Sequence, residues 1–302
     1  SPPPPAASPL PSVRLLPDVP MAPAIASVWG LETDACWNLT RHDLTGKGQV
    51  VQISDSGLDF HHHVFAGGPV FREPGTSIRV SEEGVIDPFG RKVIQYIADP
   101  ARFEDESGHG THVAATIISL APDARLAVHK VFRGPDDEVF LSDRADFRRA
   151  VRQGRRAGAY VHNASWTSLG VRDAYTAWAM EVDALMFEER RQLIVTAAGN
   201  FGERGDRSLG RMGVAKNGLV GKSPVPPQKK CFIESVATLT PRPFLPPPVG
   251  ALAPSPSGAA VSAVSSRGPT ADLRAKPDLL APGTGLVAAL SRHVDLSRGP
   301  PR

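Results

Sequence analysis

Short apolar runs alternate with amphipathic stretches through the middle of the chain. Short runs in which most residues are apolar, without strict alternation, are typical of strands buried on both faces of a sheet. Such runs occur at residues 50–53, 125–132, 159–164 and 192–198. Stretches with one apolar helical face are predicted to be helices at residues 109–120, 143–158 and 173–190. Since strands and helices alternate, the sequence predicts an α/β fold with a mainly parallel central sheet.

Proline is concentrated in two segments of the chain. Nine of the 30 prolines lie in residues 1–23 and ten lie in residues 222–257. Proline cannot continue a helix or donate to a central strand, so neither segment is expected to be a regular element. We therefore expect a disordered lead-in (1–28), a domain (29–290) that contains the proline-rich insertion 222–257, and a tail (291–302).

Charge and hydropathy exclude several classes of partner. The chain has 34 Lys and Arg against 31 Asp and Glu, and its short arginine clusters have acidic neighbours, so no nucleic-acid partner is expected. No apolar run reaches the length of about 18 residues that a transmembrane helix needs. The two cysteines, Cys36 and Cys231, exclude a disulfide framework but leave a single bridge open.

Polar residues that could carry chemistry stand where predicted strands end or helices begin. Asp55 and Ser165 each follow a predicted strand, Asn200 follows another, and His109 stands between two glycines at a predicted helix start. In parallel sheets, ligands bind at the carboxyl ends of the strands. An Asp that orients a His makes a general base, and an Asn amide can donate to an oxyanion, although each residue alone also fits an ordinary turn.

Taken together, these clusters resemble the subtilases, the subtilisin-like serine proteases. The resemblance covers roughly residues 45–290 and implies a subtilisin-like three-layer fold, incomplete at its C-terminal end. It also implies a serine endopeptidase that hydrolyses polypeptides. Within the family, the N-A-S-W and A-K-N stretches are most similar to the oxidant-stable alkaline branch. The matching stretches are QISDSGLD (52–59), GHGTHVAATI (108–117), SWTSLG (165–170), TAAGN (196–200) and SSRGPTADLRAKPDLLAPG (265–283).

The resemblance assigns roles to three candidate catalytic residues. Asp55 matches the triad acid and His109 matches the triad base, in the order that the family shows. Asn200 matches the oxyanion-hole donor. The second histidine of GHGTH, His112, is expected to be a helix or core residue.

A second group of residues matches the family's substrate-binding positions. Ser165, Trp166 and Thr167 match the segment that pairs with the substrate backbone by strand addition. Ala198 and Gly199 match one wall of the pocket for the residue before the scissile bond. The family usually has Gly where Thr167 stands, and a Thr is expected to crowd this pocket.

The nucleophile that the family carries in a G-T-S-x-A-x-P motif has no match in the sequence. Nineteen residues follow Gly283, and Ser291 and Ser297 lack the flanking Gly, Thr and Pro. Ser77 follows Gly-Thr but continues with unrelated residues. We therefore expect the 302 residues to be a fragment of a serine endopeptidase, inactive alone. The alternative is a catalytically inactive subtilase-like protein that binds peptides, and the third hypothesis is a non-functional reading frame.

The sequence predicts neither a definite metal site nor a single cellular location. His109 and His112 have no Glu between them and no evident third ligand, so no metal site is predicted there. The resemblance makes calcium possible, but no ligand set is convincing. It also suggests a secreted or membrane-associated protein, whereas the first residues lack the pattern of a signal peptide.

Overall fold

A computed structural model provides the coordinates. The residues that it describes are 44–66, 80–87, 92–133, 138–139, 144–167, 174–221, 251–253, 260–261, 265–279, 281–282, 288–295 and 297. The predictions for the lead-in, Cys36, Cys231, Ser77 and most of the proline-rich insertion lie outside these residues.

Strands and helices alternate along the described residues. The strands are β1 (Val50–Asp55), β2 (Val80–Ser81), β3 (Val93–Ile97), β4 (Arg125–Lys130), β5 (Phe132–Arg133), β6 (Glu138–Val139), β7 (Ala159–Ala164), β8 (Leu193–Ala197), β9 (Leu219–Gly221), β10 (Ala251–Ala253), β11 (Ala260–Val261) and β12 (Ala281–Pro282). The helices are α1 (His63–Ala66), α2 (His109–Leu120), α3 (Arg144–Arg156) and α4 (Ala177–Glu188), with a 3₁₀ turn at Gly202–Arg204.

Seven of these strands form one parallel sheet, in the order β2-β3-β4-β1-β7-β8-β9. The predicted α/β fold with a mainly parallel sheet is therefore confirmed. Strand β1 lies in the centre, with β4 on one side and β7 on the other. Strands β10, β11 and β12 form a smaller sheet, and β5 pairs with β6 in an antiparallel ribbon.

The sheet has an apolar core on each face. Alternate residues of β1 point to opposite faces, so Ile53 faces α2 whereas the Gln52 side chain bonds to the Ala150 carbonyl of α3. Helices α3 and α4 cover that second face. The core on the α2 face includes Ile53, Leu58, Ala114, Ala115, Ile118, Leu126 and Val128. The core on the opposite face includes Phe147, Val151, Ala179, Val182, Leu185 and Ile194.

The bounds of most predicted elements agree with the structure to within a few residues. Helix α2 and strand β7 have the predicted bounds. The strand predicted at 125–132 is wrong at its end, because Lys130 is the last residue with a register partner on β1 and the chain then turns into β5. Helix α4 begins after Thr176, whose hydroxyl caps it by accepting from Ala179 N at 3.1 Å.

Candidate active site

The order of the strands marks one end of the sheet as the place for a site. From β1 the chain builds β2, β3 and β4 on one side and then crosses to β7 on the other. Such a reversal opens a crevice at the carboxyl ends of the two strands beside it, here β1 and β7. Asp55 is the last residue of β1, and Ser165 follows the last residue of β7. Asn200 lies three residues beyond β8, at the same edge of the sheet.

The structure brings Asp55 and His109 into contact, and we call them the Asp–His pair. The Nδ1 of His109 lies 2.6 Å from the Oδ1 of Asp55. The side chain of Asp55 is fully buried, whereas that of His109 is 19% exposed. Because a carboxylate only accepts, Nδ1 of the neutral ring carries the proton, and Nε2 is the nitrogen that can act as a base. The backbone N–H of Ser56 also donates to Oδ1 of Asp55, at 2.8 Å.

A second buried carboxylate, Asp105, holds the turn that presents His109. Its Oδ1 accepts from Ser56 Oγ at 2.7 Å and from Gly108 N at 2.9 Å. Its Oδ2 accepts from the backbone N–H of Thr111 at 2.8 Å and from the Thr111 hydroxyl at 2.5 Å. These four donors compensate the loss of hydration of a fully buried Asp. Asp105 is not among the residues predicted from the sequence, although an Asp before a helix start is a common turn signal.

Two glycines beside His109 are required by the backbone. Gly108 precedes helix α2 with a φ of 80°, a left-handed conformation that favours glycine. At Gly110, a Cβ atom would lie 2.1 Å from the Gly57 carbonyl oxygen, so only glycine allows this approach. The G-H-G pattern therefore lets the start of α2 lie directly against the loop after β1.

The turn that carries Asn200 is clamped by Ser266. Ser266 N donates to the Gly199 carbonyl at 3.0 Å, and Ser266 Oγ accepts from Phe201 N at 3.0 Å. Ser266 is fully buried and Asn200 is exposed. Ser266 belongs to the S-S-R-G-P stretch, so this part of the motif supports the turn on both sides of the candidate oxyanion donor.

The predicted substrate segment, Ser165 to Thr167, continues from the end of β7. Its three side chains are partly buried. The Trp166 ring contacts Phe132, Phe147 and Trp178 edge to face, and its Nε1 donates to Ser54 Oγ at 3.3 Å.

Thr167 lies against the chain that faces the predicted pocket wall. Its Oγ1 and Cγ2 would be 2.3 Å and 2.4 Å from a Cβ built on Gly210. Gly210 N donates to the carbonyl of Ala198 at 2.7 Å, and Ala198 and Gly199 are buried. The structure thus brings Thr167, Gly210 and the predicted wall together.

Ser291 and Ser297, the two serines after Gly283, make hydrogen bonds within their own segment. Ser291 is 1% exposed and its Oγ accepts from His293 N at 3.2 Å. Next to it, Arg292 N donates to the Asp59 carboxylate at 3.2 Å. Ser297 Oγ donates to Asp295 at 2.6 Å. Neither serine is paired with His109 by these bonds.

Neither a metal-binding cluster nor a helix able to cross a membrane is found in the described part of the chain. Within that part, no group of three or more His, Cys, Asp and Glu residues could hold a metal ion. None of its helices combines the length and the apolar composition that crossing a membrane requires. His112, the second histidine of GHGTH, lies in helix α2.

The fold and the Asp–His pair define a class of parallel α/β protein that carries an acid–base couple at the carboxyl end of its sheet. The model of the subtilase family matches residues 46–300, and the chain belongs to that family.

The individual proteins that resemble this chain have low sequence identity to it. The chain is 29% identical over 174 residues to the serine protease/ABC transporter B family protein tagB of Dictyostelium discoideum, covering 52% of this chain and 8% of that protein. It is 31% identical over 110 residues to an intracellular serine protease of Paenibacillus polymyxa, covering 33% of this chain and 27% of that protein. The chain therefore spans less than a third of the length of either relative. Among solved structures, the prenylagaramide maturation protease PagA matches with 18% identity and a TM-score of 0.46, over 85% of this chain and 74% of that one.

Proposed function

We propose that the protein carrying this chain is a subtilisin-type serine endopeptidase that hydrolyses peptide bonds in polypeptides. The observation that carries the proposal is the 2.6 Å contact between His109 Nδ1 and Asp55 Oδ1, at the carboxyl end of β1 in a subtilase chain. In this mechanism Asp55 orients the imidazole, and His109 Nε2 takes the proton of a serine nucleophile and later returns it to the leaving amine.

Asn200 is proposed as the donor to the oxyanion of the tetrahedral intermediate. Its exposed position beyond β8 and the Ser266 clamp on its turn support this role. One such donor contributes about 10²–10³ in rate. The nucleophile is not assigned to any of the 302 residues, so the activity is proposed for the product of the whole transcript.

The test is casein hydrolysis by the product of the whole transcript, together with labelling by a fluorophosphonate that reacts with activated serines. We expect His109→Ala to lower kcat/KM by about 10⁴-fold or more and to abolish labelling. The exposed His63 provides the control, since His63→Ala should leave both unchanged. Casein hydrolysis that persists in His109→Ala would refute the proposal.

The absence of a G-T-S-x-A-x-P motif from the 302 residues favours a second candidate, a peptide-binding protein that does not cleave. In that case the Ser165–Thr167 segment would bind an extended peptide by strand addition. The purified 302-residue chain would then bind a fluorescein-labelled Ala-Ala-Pro-Ala-Ala amide and leave it intact. Rapid, His109-dependent cleavage of this peptide by the same chain would exclude the second candidate.

We also propose that the pocket before the scissile bond accepts small side chains. Thr167 fills the space beside Gly210, which is bonded to Ala198 of the predicted wall. A large aromatic side chain would have to displace this contact. We therefore expect Ala to be preferred over Phe at this substrate position, and Thr167→Gly to raise kcat/KM for Phe substrates more than for Ala substrates. An unchanged Phe-to-Ala ratio in Thr167→Gly would contradict this preference.

Membership of the oxidant-stable alkaline branch remains a proposal, supported by the N-A-S-W stretch at 163–166 and the A-K-N stretch at 215–217. In the structure the second stretch is fixed to α4, because Lys216 N and Asn217 N both donate to the Asp183 carboxylate. Activity that survives hydrogen peroxide at alkaline pH would support the placement, and rapid inactivation would oppose it.

A further inference from the structure

Beneath the predicted substrate segment, four polar side chains form a hydrogen-bonded series inside the apolar core. We call Gln52, Ser54, His162 and Trp166 the buried polar chain. Gln52 and Ser54 point to the same face of β1, and His162 on β7 is the register partner of Gln52. Gln52, Ser54 and His162 are each 0% exposed, so none of them can exchange its partners for solvent.

The hydrogen bonds of the buried polar chain run in one direction only. Gln52 Nε2 donates to the Ala150 carbonyl at 2.7 Å, which leaves Gln52 Oε1 to accept from His162 Nδ1 at 2.9 Å. With its proton on Nδ1, neutral His162 must accept at Nε2, and Ser54 Oγ donates there at 2.8 Å. The Ser54 oxygen is then free to accept from Trp166 Nε1 at 3.3 Å. Both ring nitrogens of His162 are thus used.

This direction requires that the His162 imidazole is uncharged. In a protonated ring both nitrogens donate, so the Ser54 hydroxyl could no longer donate to Nε2. Burial, with a smaller contribution from the neighbouring His129, lowers the pKa of His162 to about 3. The edge-to-face contact with the Phe147 ring, at 5.5 Å between centroids, completes the apolar surroundings. His162 is therefore neutral at neutral pH.

Three aromatic rings and the hydrogen bond to Ser54 surround the Trp166 indole. Phe132, Phe147 and Trp178 meet it at interplanar angles of 88°, with centroids 6.0–6.1 Å away. Edge-to-face contacts favour this plane of the indole, and a buried Trp N–H takes a hydrogen-bond partner. That N–H points to Ser54, the residue directly before Asp55.

We propose that His162 is a positioning residue that, through the Ser54 hydroxyl, orients the Trp166 indole and so sets the place of the Ser165–Thr167 backbone relative to the Asp–His pair. The effect on peptide binding rests on the proposed function, because it requires that Ser165–Thr167 contact the substrate. The effect on the orientation of Trp166 is independent of the proposed function.

The experiment measures both effects in the 302-residue chain. Fluorine NMR of the chain labelled with fluorotryptophan reports the surroundings of Trp166, and Trp166→Phe identifies its signal. Fluorescence anisotropy of the labelled Ala-Ala-Pro-Ala-Ala amide reports peptide binding. The disrupting variants are His162→Leu and the milder Ser54→Ala. His162→Gln retains an acceptor for Ser54, and Ser54→Thr retains the hydroxyl. His129→Leu removes a partly buried histidine outside the buried polar chain.

We expect the Trp166 signal to shift and the peptide Kd to rise about three- to tenfold in both disrupting variants, as for the loss of one buried hydrogen bond. In Ser54→Thr and His162→Gln the Trp166 signal and the peptide Kd should stay closer to those of the unaltered chain. His129→Leu should change neither the signal nor the Kd. A Trp166 signal that stays in place in Ser54→Ala overturns the inference. So does a shifted signal with an unchanged Kd. If the unaltered chain does not bind the peptide, peptide binding by this chain fails, whereas the Trp166 signal still decides the positioning role.

Discussion

At the scale of single residues, His162 links the stability of the fold to pH. Its pKa is lowered by burial to about 3, and burial also lowers the pKa of His129 to about 4. In the unfolded chain both histidines regain a pKa of about 6.5. Between these values the unfolded state binds more protons than the folded state, so the free energy of unfolding must fall as the pH falls below about 6.5.

The His162→Gln variant isolates this contribution. From pH 7 to pH 5, His162 alone should lower the free energy of unfolding by about 2 kcal/mol, and the variant should lose that part of the pH dependence. Urea unfolding at a series of pH values measures it. At pH 8 the two chains differ only by the lost contacts, and that difference serves as the baseline. Parallel curves for the two chains down to pH 5 would show that His162 is protonated in the folded state.

At the scale of elements, the start of helix α2 depends on Asp105. An Asn in its place would offer an N–H₂ group to four donors, leaving some of them buried without an acceptor. We expect Asp105→Asn to lower the free energy of unfolding by about 3 kcal/mol. Asp99 provides the matched control, because it is an exposed Asp that accepts from Ala101 N at 2.9 Å in a turn. Asp99→Asn should cost less than about 1 kcal/mol, and equal losses in the two variants would contradict the assignment.

The sequence predicts those elements whose signals are local. The bounds of α2 follow from its apolar face and from the glycines beside His109. Strand β7 is predicted because its residues form a short, largely apolar run. Strands β2, β3 and β9 are not predicted from the sequence. β2 and β9, of two and three residues, are too short to show a period, and all three strands are defined by pairing with neighbours that are distant in the chain.

The same distinction separates the predicted from the unpredicted parts of the candidate site. Asp55 and His109 stand in motifs that can be read locally, and the structure places them in contact. Gln52 and His162, by contrast, read as a polar residue in one strand and a histidine in another. Their partnership arises from the β1–β7 register, which no local pattern reveals.

At the scale of the whole molecule, the chain on either side of the proline-rich insertion is joined by direct bonds. Val220 N donates to Asp278 Oδ2 at 2.8 Å, and Asp278 N donates to the Val220 carbonyl at 3.1 Å. Lys276 Nζ, with 3% of its side chain exposed, pairs with Asp278 at 2.6 Å. These contacts support the proposal that the segments before and after 222–257 belong to one peptidase domain.

A single cut in the insertion tests this organisation. With a site for a sequence-specific protease placed between Ser235 and Val236, we expect the two pieces to stay together in size-exclusion chromatography after cleavage. Asp278→Ala leaves the buried ammonium of Lys276 without its carboxylate, so the cut chain should separate at a lower urea concentration. Asp272→Ala is the control, because the exposed Asp272 pairs with Arg274 of its own segment. Pieces that separate on cleavage without urea would show that the insertion joins two independent units.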